Sequence, residues 1–241
     1  MIQQPQVIFL DAVGTLFTVE GSVGEVYSQL AQQYGVNSDS DTLNSAFFQA
    51  FATADPMAFP TAPAAKIPQL EYQWWETLAV ETFKIAGIYQ QFSDFPQFFA
   101  QLYDHFATAK PWFVYPDVLP TLKQWQNQGI ELGVISNFDS RLYPVLDVLN
   151  LAPFFKSVTI STTVGAAKPA AEIFQVAMQK HNCSLEEVLH IGDSVSADYQ
   201  GAKQAGIQVM IVNREGDETV RSRLNQPELE FCTCLTEIHF N

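Results

Sequence analysis

Five short apolar runs, each followed at once by polar residues, constrain the fold of this 241-residue chain more than any other feature. A continuous apolar run indicates a strand that is buried on both faces, as in the parallel sheets of α/β proteins. The runs lie at residues 7–10, 132–135, 158–160, 188–191 and 209–212, and segments with helical spacing lie at 117–128, 169–180 and 196–205. This alternation predicts an α/β fold with a doubly wound parallel sheet.

Polar side chains stand where such a sheet would bind a ligand. In doubly wound, Rossmann-like sheets, ligands bind outside the carboxyl ends of the strands. Asp11 and Ser136 directly follow predicted strands, Asp193 follows one within two residues, and Lys168 precedes a predicted helix. We therefore expect these four side chains to gather at one edge of the sheet.

The stretch from residue 17 to residue 113 departs from the alternation. It has no comparable β-branched run and is rich in Ala, Gln, Phe and Trp at helical spacing, which predicts helices. Four prolines among small residues at 55–68 predict a loop that divides this stretch. The sequence thus predicts an α/β core domain formed by residues 1–16 and 114–241, with residues 17–113 inserted as an α-helical cap domain.

The acidic composition narrows the class of partner. The net charge is −14, and an acidic surface gains no counterion-release energy from nucleic acid or from an anionic membrane. No apolar run is long enough to span a bilayer and no secretory signal is evident, so a cytoplasmic location is expected. Small molecules are the expected partners, while self-association through the aromatic-rich cap is left open. Binding of a phosphorylated compound would require local positive charge from a metal, a lysine or helix N-termini.

Four short motifs resemble those of a known family in both order and spacing. They are Asp-Ala-Val-Gly-Thr at 11–15, Ser136-Asn137, Lys168-Pro169, and Gly192-Asp193-Ser194 with Asp198 five residues after Asp193. The family is the haloacid dehalogenase (HAD) superfamily, and the resemblance covers nearly the whole chain. The insert is similar to the helical cap of subfamily IA, which also contains haloacid dehalogenases and phosphoglycolate phosphatase. Residues 136–142 and the Trp74-Trp75 pair are similar to its rhythmically-expressed-gene-two-like branch.

The resemblance implies a hydrolase that acts on a phosphorylated small molecule. Asp11 would attack phosphorus and form an aspartyl-phosphate, which divides one difficult displacement into two easier ones. The family's Mg²⁺ would be held by the carboxylates of Asp11 and Asp193 and by the backbone carbonyl of Val13. Asp198 would support the metal site without binding the ion.

The remaining motif residues would bind the phosphoryl group. The hydroxyls of Thr15 and Ser136 and the backbone N–H of Asn137 can donate hydrogen bonds to phosphate oxygens. Lys168 would place a positive charge beside both the nucleophile and the phosphate. Pro169 is expected to begin the following helix.

Val13 is the point at which the sequence departs from the family pattern. HAD phosphatases place a second aspartate two residues after the nucleophile, where it protonates the leaving oxygen and then activates water. Valine transfers no proton, and the loss of a positioned acid or base typically costs about 10²–10⁴-fold in rate. Simple alkyl phosphate esters are therefore expected to be poor substrates.

Three functions are compatible with this pattern. The favoured one is a phosphohydrolase whose substrate has a weakly basic leaving group, such as a phosphoanhydride, an acyl phosphate or an aryl phosphate. The second is a 2-haloacid dehalogenase that needs no metal; residues 12–17 resemble that subgroup, but Asp193 and Asp198 would then have little purpose. The third is a catalytically silent domain that binds a phosphorylated metabolite or a protein. Val13 supports this alternative, and the intact set of Asp11, Lys168 and Asp193 opposes it.

Overall fold

The structure, a computed structural model, describes residues 3–214, Gly216 and 231–241. Its strands are β1 (Val7–Leu10), β2 (Phe17–Val19), β3 (Trp112–Val114), β4 (Glu131–Ser136), β5 (Ser157–Ile160), β6 (Val188–Gly192), β7 (Gln208–Val212) and β8 (Phe231–Cys232). Six of them form a sheet in the order β5-β4-β1-β6-β7-β8, in which all neighbours are parallel. Strands β2 and β3 pair antiparallel outside this sheet.

Helices cover both faces of the parallel sheet, and four of those in the described residues lie between β2 and β3 in the chain. The helices are α1 (Val23–Gln32), α2 (Ser40–Thr53), α3 (Ile67–Ile85), α4 (Phe95–His105), α5 (Val118–Asn127), α6 (Leu142–Val148), α7 (Ser161–Val164), α8 (Ala171–Gln179) and α9 (Gln200–Gln204). Short 3-10 segments lie at Ala64–Lys66, Tyr89–Gln91, Ala152–Phe154, Leu185–Glu187 and Leu235–Glu237, and a π-helical turn, Val195–Tyr199, leads directly into α9. Helices α5 and α6 pack on one face of the sheet, and α8 and α9 pack on the other.

The central strand β1 contributes side chains to two separate hydrophobic clusters, because successive side chains point to opposite faces of a strand. Ile8 and Leu10 pack with Trp125 of α5, whereas Phe9 packs with Phe174 of α8. Each residue of β1 is at most 2% exposed, as expected for a strand covered on both sides. The predicted doubly wound parallel sheet is confirmed.

Two predicted helices begin differently in the structure. The helix predicted to start at Pro169 starts at Ala171 instead, because the backbone N–H of Ala170 closes a turn on the Ala167 carbonyl. The segment predicted as a regular helix from residue 196 opens with the π-helical turn, a feature that is frequent at functional sites.

Helices α1 to α4 pack around an aromatic cluster of their own. Phe83 and Phe98 are fully buried there and meet edge to face at 5.2 Å between ring centroids. The domain boundaries at residues 17 and 113 stay a prediction, and the predicted core ranges include residues 1–2, 215 and 217–230, which lie outside the described residues. In the part of the chain that is described, no helix combines the length and hydropathy needed to cross a membrane.

Candidate active site

Asp11 and Asp193 lie at the carboxyl ends of two neighbouring strands. Asp11 follows β1, and its backbone N–H donates to the carbonyl of Ile191 in β6 over 2.9 Å. Asp193 comes directly after β6, and Asp198 approaches from the π-helical turn. Carboxylate oxygens of the three aspartates lie within 4.8 Å of one another. The sheet topology therefore brings Asp11 next to Asp193 and Asp198, which lie more than 180 residues later in the sequence.

Two glycines allow these carboxylates to pack closely against the backbone. Gly14 has a φ of +87°, in the left-handed region that favours glycine, and a side chain there would collide with the carboxylate of Asp193. A side chain at Gly192 would collide with the carboxylate of Asp198. The spacing of the acidic cluster thus depends on glycine at both positions.

Lys168 is the cation at the centre of the cluster. Its Nζ donates to Asp11 Oδ1 at 2.7 Å, to Asp198 Oδ1 at 2.6 Å and to the carbonyl of Ile135 at 3.0 Å. The Lys168 side chain is only 2% exposed. Because all three ammonium hydrogens have partners, the lysine holds Asp11 and Asp198 at fixed positions.

The side chain of Asn137 positions the backbone of Lys168. Its Nδ2 donates to the Lys168 carbonyl at 2.9 Å, and its Oδ1 accepts from the Lys168 N–H at 2.7 Å. The following peptide bond, Lys168–Pro169, is cis. The sequence suggested only a backbone contact to phosphate for Asn137, so this side-chain role is additional.

Asp198 uses both of its carboxylate oxygens within the protein. Oδ1 accepts from Lys168 and from His190 Nε2, the latter at 2.7 Å, and Oδ2 accepts from the backbone N–H of Ser194 at 3.0 Å. The residue is completely buried. A carboxylate with these partners is suited to orienting Lys168 rather than to binding an ion directly.

The charges in the cluster shift one another's pKa values. Burial disfavours a charged lysine, but Asp11 and Asp198 outweigh this effect and raise the pKa of Lys168. Burial would raise the pKa of Asp198, yet Lys168 and the hydrogen bond from His190 hold it well below its usual range. For Asp11, desolvation and repulsion from Asp198 raise the pKa despite the attraction of Lys168.

Within the described residues, Asp193 has fewer stabilising partners than the other two aspartates. Desolvation, together with repulsion from Asp11 and Asp198, raises its pKa. Because Asp193 is the solvent-exposed member of the cluster, its desolvation is incomplete, and we attribute the shift mainly to repulsion. A cation placed among the three carboxylates would relieve that repulsion.

The charge and chemistry of the cluster fit a divalent cation. With every group ionised, three carboxylates and one ammonium leave a formal charge of −2. Mg²⁺ prefers oxygen ligands and is usually held by one or two carboxylates together with water and substrate. Since Asp198 is already engaged, Asp11 and Asp193 are the carboxylates left to bind the ion.

The other predicted site residues lie on the same edge of the sheet. Ser136 is the last residue of β4 and is buried, and Val13 is partly buried against the cluster that contains Leu10. Thr15 Oγ1 is buried and has no hydrogen-bond partner among the residues that the structure describes. A buried hydroxyl normally has a partner, so this one is suited to receive a ligand or water.

A buried ion pair, not predicted from the sequence, links the loop after β4 to helices α3 and α4. Arg141 Nη2 lies 2.6 Å from Asp139 Oδ2, and Trp75 Nε1 of α3 donates to the same oxygen at 2.5 Å. The guanidinium also lies 3.8 Å from the ring centroid of Tyr103 in α4. The Asp-x-Arg spacing is the available sequence signal for this ion pair, whereas no spacing points to its aromatic partners.

Glu71 makes a second contact between α3 and the core. Its Oε1 accepts from the backbone N–H of Ser140 at 3.0 Å, from Ser140 Oγ at 2.9 Å and from Thr162 Oγ1 at 2.6 Å. The residue is only 1% exposed, and desolvation raises its pKa against the effect of these hydrogen bonds. An acidic residue inside a helical aromatic stripe was the available signal in the sequence.

Comparison with known proteins shows the family of the chain. A family model for haloacid dehalogenase-like hydrolases matches residues 5–206. Haloacid dehalogenase-like hydrolase domain-containing protein 3 of Mus musculus is 33% identical over 209 residues, which cover 87% of this chain and 82% of that protein. The Rhythmically expressed gene 2 protein of Drosophila melanogaster is 29% identical over 218 residues, which cover 87% of this chain and 84% of that protein.

The fold has counterparts among solved structures. The crystal structure of a HAD phosphatase from Thermococcus onnurineus aligns with a TM-score of 0.64 and 22% identity, and covers 96% of this chain and 95% of that one. At this identity the likeness shows the fold alone. Together with the two relatives, it confirms the family resemblance predicted from the four motifs.

Proposed function

Since the chain belongs to the haloacid dehalogenase-like hydrolase family, we propose that it is a magnesium-dependent phosphohydrolase that acts on a phosphorylated small molecule through Asp11. One observation carries the proposal: Lys168 holds Asp11 at 2.7 Å inside a cluster whose third member, Asp193, makes no ion pair in the described part of the chain and so can bind a cation. A carboxylate held in this way is suited to nucleophilic attack on a phosphoryl group.

In the proposed reaction, a carboxylate oxygen of Asp11 attacks phosphorus. The bond between phosphorus and the leaving oxygen breaks, and its electron pair stays on that oxygen. Water then attacks phosphorus in the aspartyl-phosphate, which releases inorganic phosphate and restores Asp11, and the proton of the water passes to phosphate or solvent. Lys168 keeps its charge throughout and offsets the negative charge of the transferred group.

Thr15, Ser136 and Asn137 would hold the oxygens of the phosphoryl group. The two hydroxyls and the backbone N–H of Asn137 are hydrogen-bond donors at the carboxyl edge of the sheet. The Thr15 hydroxyl lacks a partner among the described residues, which supports a role in ligand binding. Donors fixed before the substrate arrives stabilise a developing charge without reorganisation.

Mg²⁺ would be held by the carboxylates of Asp11 and Asp193 and by the backbone carbonyl of Val13. Among the described residues, the hydrogen bonds within this loop use other carbonyls: the Gly14 N–H donates to the Phe17 carbonyl and the Leu16 N–H donates to the Ala12 carbonyl. When bound, the ion would neutralise phosphate charge and orient the phosphoryl group. Asp198 would support the site through Lys168.

The absence of an acid at Val13 restricts the proposed substrates. A weakly basic leaving oxygen needs no proton, so acyl phosphates, phosphoanhydrides and aryl phosphates are favoured over alkyl esters. The formal charge of −2 opposes the alternative of a metal-independent 2-haloacid dehalogenase, because a halide leaves as an anion. A catalytically silent binding domain is the other alternative, and Val13 is the feature that favours it.

Residues 17–113 are proposed as the cap domain and residues 1–16 and 114–241 as the core domain. The contacts of Glu71 and Trp75 with the loop after β4 support a cap seated over the end of the sheet that carries Asp11. Specificity for the leaving group would then depend on this helical domain.

An assay with three leaving groups tests the proposal. The purified protein is incubated with Mg²⁺ and acetyl phosphate, para-nitrophenyl phosphate or a sugar phosphate, beside Asp11→Asn and Val13→Asp. Turnover of the first two compounds, lost in Asp11→Asn and extended to the sugar phosphate in Val13→Asp, is the expected result. Inactivity of the native protein with activity gained in Val13→Asp would favour the silent domain. Metal-independent release of chloride from 2-chloropropionate would favour the dehalogenase.

A further inference from the structure

Asp117 stands directly before α5 but does not cap that helix. An aspartate at this position usually accepts a hydrogen bond from a backbone N–H of the first turn. Here the side chain makes no capping bond, and both carboxylate oxygens face Arg214 Nη1, at 2.8 and 2.7 Å. The backbone N–H of Leu235 donates to the same carboxylate at 2.6 Å. Because the Asp117 carboxylate binds Arg214 and Leu235 and not the first turn of α5, we assign its role to this distant contact.

Arg214, which follows β7 by two residues, extends this contact to the loop of Asp11. Its Nη2 donates to the backbone carbonyl of Thr15 at 2.5 Å. The guanidinium lies 4.1 Å from the ring centroid of Tyr115. The side chains of Arg214 and Asp117 are only 11% and 13% exposed. The ion pair with Asp117 and the ring of Tyr115 therefore fix the position of Arg214, while its Nη2 binds the loop that follows Asp11.

The carbonyl and the hydroxyl of Thr15 differ in their hydrogen bonding. Its carbonyl is occupied by Arg214, whereas its buried hydroxyl has no partner in the described ranges. We propose that Arg214 is a positioning residue, which holds the Thr15 carbonyl so that the Thr15 hydroxyl is presented to the phosphoryl group. This inference rests on the proposed function, because it assigns the phosphate as the ligand of that hydroxyl.

The geometry requires arginine rather than any cation. The guanidinium is planar and carries several donors in a rigid fork, so it binds Asp117 and the Thr15 carbonyl at the same time. A lysine at residue 214 would keep the charge but would act as a flexible point charge. Arg214→Lys therefore separates the positioning role from the mere presence of positive charge.

A double-mutant cycle tests the proposal through turnover. Values of kcat/KM for acetyl phosphate with Mg²⁺ are measured for Arg214→Lys, Thr15→Val and the double variant, with melting temperatures as a check of folding. We expect each single variant to lose roughly 10- to 100-fold, the range for one hydrogen bond to a charged group. The double variant should be no worse than Thr15→Val, because Arg214 acts through the hydroxyl that is already gone. Losses that multiply, or a native value for Arg214→Lys, would overturn the proposal.

Amide hydrogen exchange gives a readout that needs no turnover. The amides of Gly14 and Leu16, which are hydrogen-bonded within the loop, should exchange faster in Arg214→Lys and at the native rate in Lys156→Met. Lys156 forms an exposed ion pair with Glu131 and serves as the matched control. Unchanged exchange in Arg214→Lys would overturn this inference alone. A native protein that neither hydrolyses acetyl phosphate nor binds inorganic phosphate would overturn the proposed function as well.

Discussion

His190 Nε2 lies 2.7 Å from Asp198 Oδ1, the same oxygen that accepts a hydrogen bond from Lys168. Because a carboxylate only accepts, the imidazole must donate through Nε2. Its other nitrogen, Nδ1, is buried and has no partner among the described residues. His190 thus helps to fix the carboxylate that orients the lysine beside Asp11.

Replacing His190 should affect stability and activity together. His190→Phe keeps an aromatic ring but leaves Asp198 short of a donor, which should cost about 1–3 kcal/mol in the free energy of unfolding. Loss of such a supporting partner typically lowers activity by about 10–100-fold. Urea denaturation and kcat/KM measure the two effects. His190→Gln, which retains an N–H donor, should recover part of both, and an equal loss in the two variants would contradict this explanation.

Lys168→Met should lower both the stability and the activity, because it removes the positive charge among the three aspartates. The substitution leaves Asp11 and Asp198 buried without their cation, which typically costs about 3–5 kcal/mol. We also expect kcat to fall by about 10²–10³-fold, as for the loss of one electrostatic stabiliser. Stability should partly recover at lower pH, where the carboxylates become protonated. Denaturation at two pH values checks this, with the exposed Lys156→Met, expected to lose at most about 1 kcal/mol, as the control.

The missing acid at Val13 should make the rate depend strongly on the leaving group. Across a series of aryl phosphates, kcat/KM of the native protein should fall steeply as the pKa of the leaving phenol rises, because Val13 cannot protonate the leaving oxygen. In Val13→Asp the same plot should be flatter. Parallel slopes for the two proteins would mean that another group already supplies the proton.

Magnesium should stabilise the folded protein through Asp193. An ion that binds only the folded state adds about 1.4 kcal/mol when its concentration is ten times the dissociation constant, and so raises the melting temperature. This increase should vanish in Asp193→Asn and on chelation by EDTA. Asp147 is exposed on α6, so Asp147→Asn should respond to Mg²⁺ as the native protein does. An undiminished shift in Asp193→Asn would place the ion elsewhere.

Glu71 should give the stability a pH dependence of defined sign. Burial raises its pKa above the ordinary value of 4.5, so the folded state favours the protonated form. The stability that this shift contributes is fully present below pH 4.5, the pKa expected for Glu71 in the unfolded chain. It is lost as the pH rises through the pKa of Glu71 in the folded state. Native protein should therefore gain stability relative to Glu71→Gln as the pH is lowered from 7 towards 4.5. Glu71→Ala should be less stable than both, and a gain in the opposite direction would contradict the raised pKa.

The sequence predicted the parts of the site that follow from local pattern. Asp11 and Asp193 could be placed because each follows a buried strand, and strands of a parallel sheet end at the same edge. The start of α8 could not be placed correctly, because the turn before it depends on Asn137, 31 residues before Lys168.

Contacts between segments that are distant in the chain could not be predicted from the sequence. Trp75 meets Asp139 across 64 residues, and Arg214 meets the carbonyl of Thr15 across 199 residues. Neither pair has a spacing that any periodicity encodes, because the partner depends on how the chain returns in space. Hydrophobic patterning specifies layers and edges, whereas individual polar partners are specified only by the assembled fold.

The loop that follows β4 is hydrogen-bonded to Lys168 at its start and to α3 a few residues later. Ser136 ends β4, Asn137 begins the loop, and Asp139 and Ser140, which hydrogen-bond to α3, lie within four residues of Ser136. An outward shift of α3 therefore pulls on the same short segment that would receive the phosphate. A substrate that fits poorly beneath the helices would react more slowly as well as bind more weakly. The protein would therefore select among substrates by kcat and not by affinity alone.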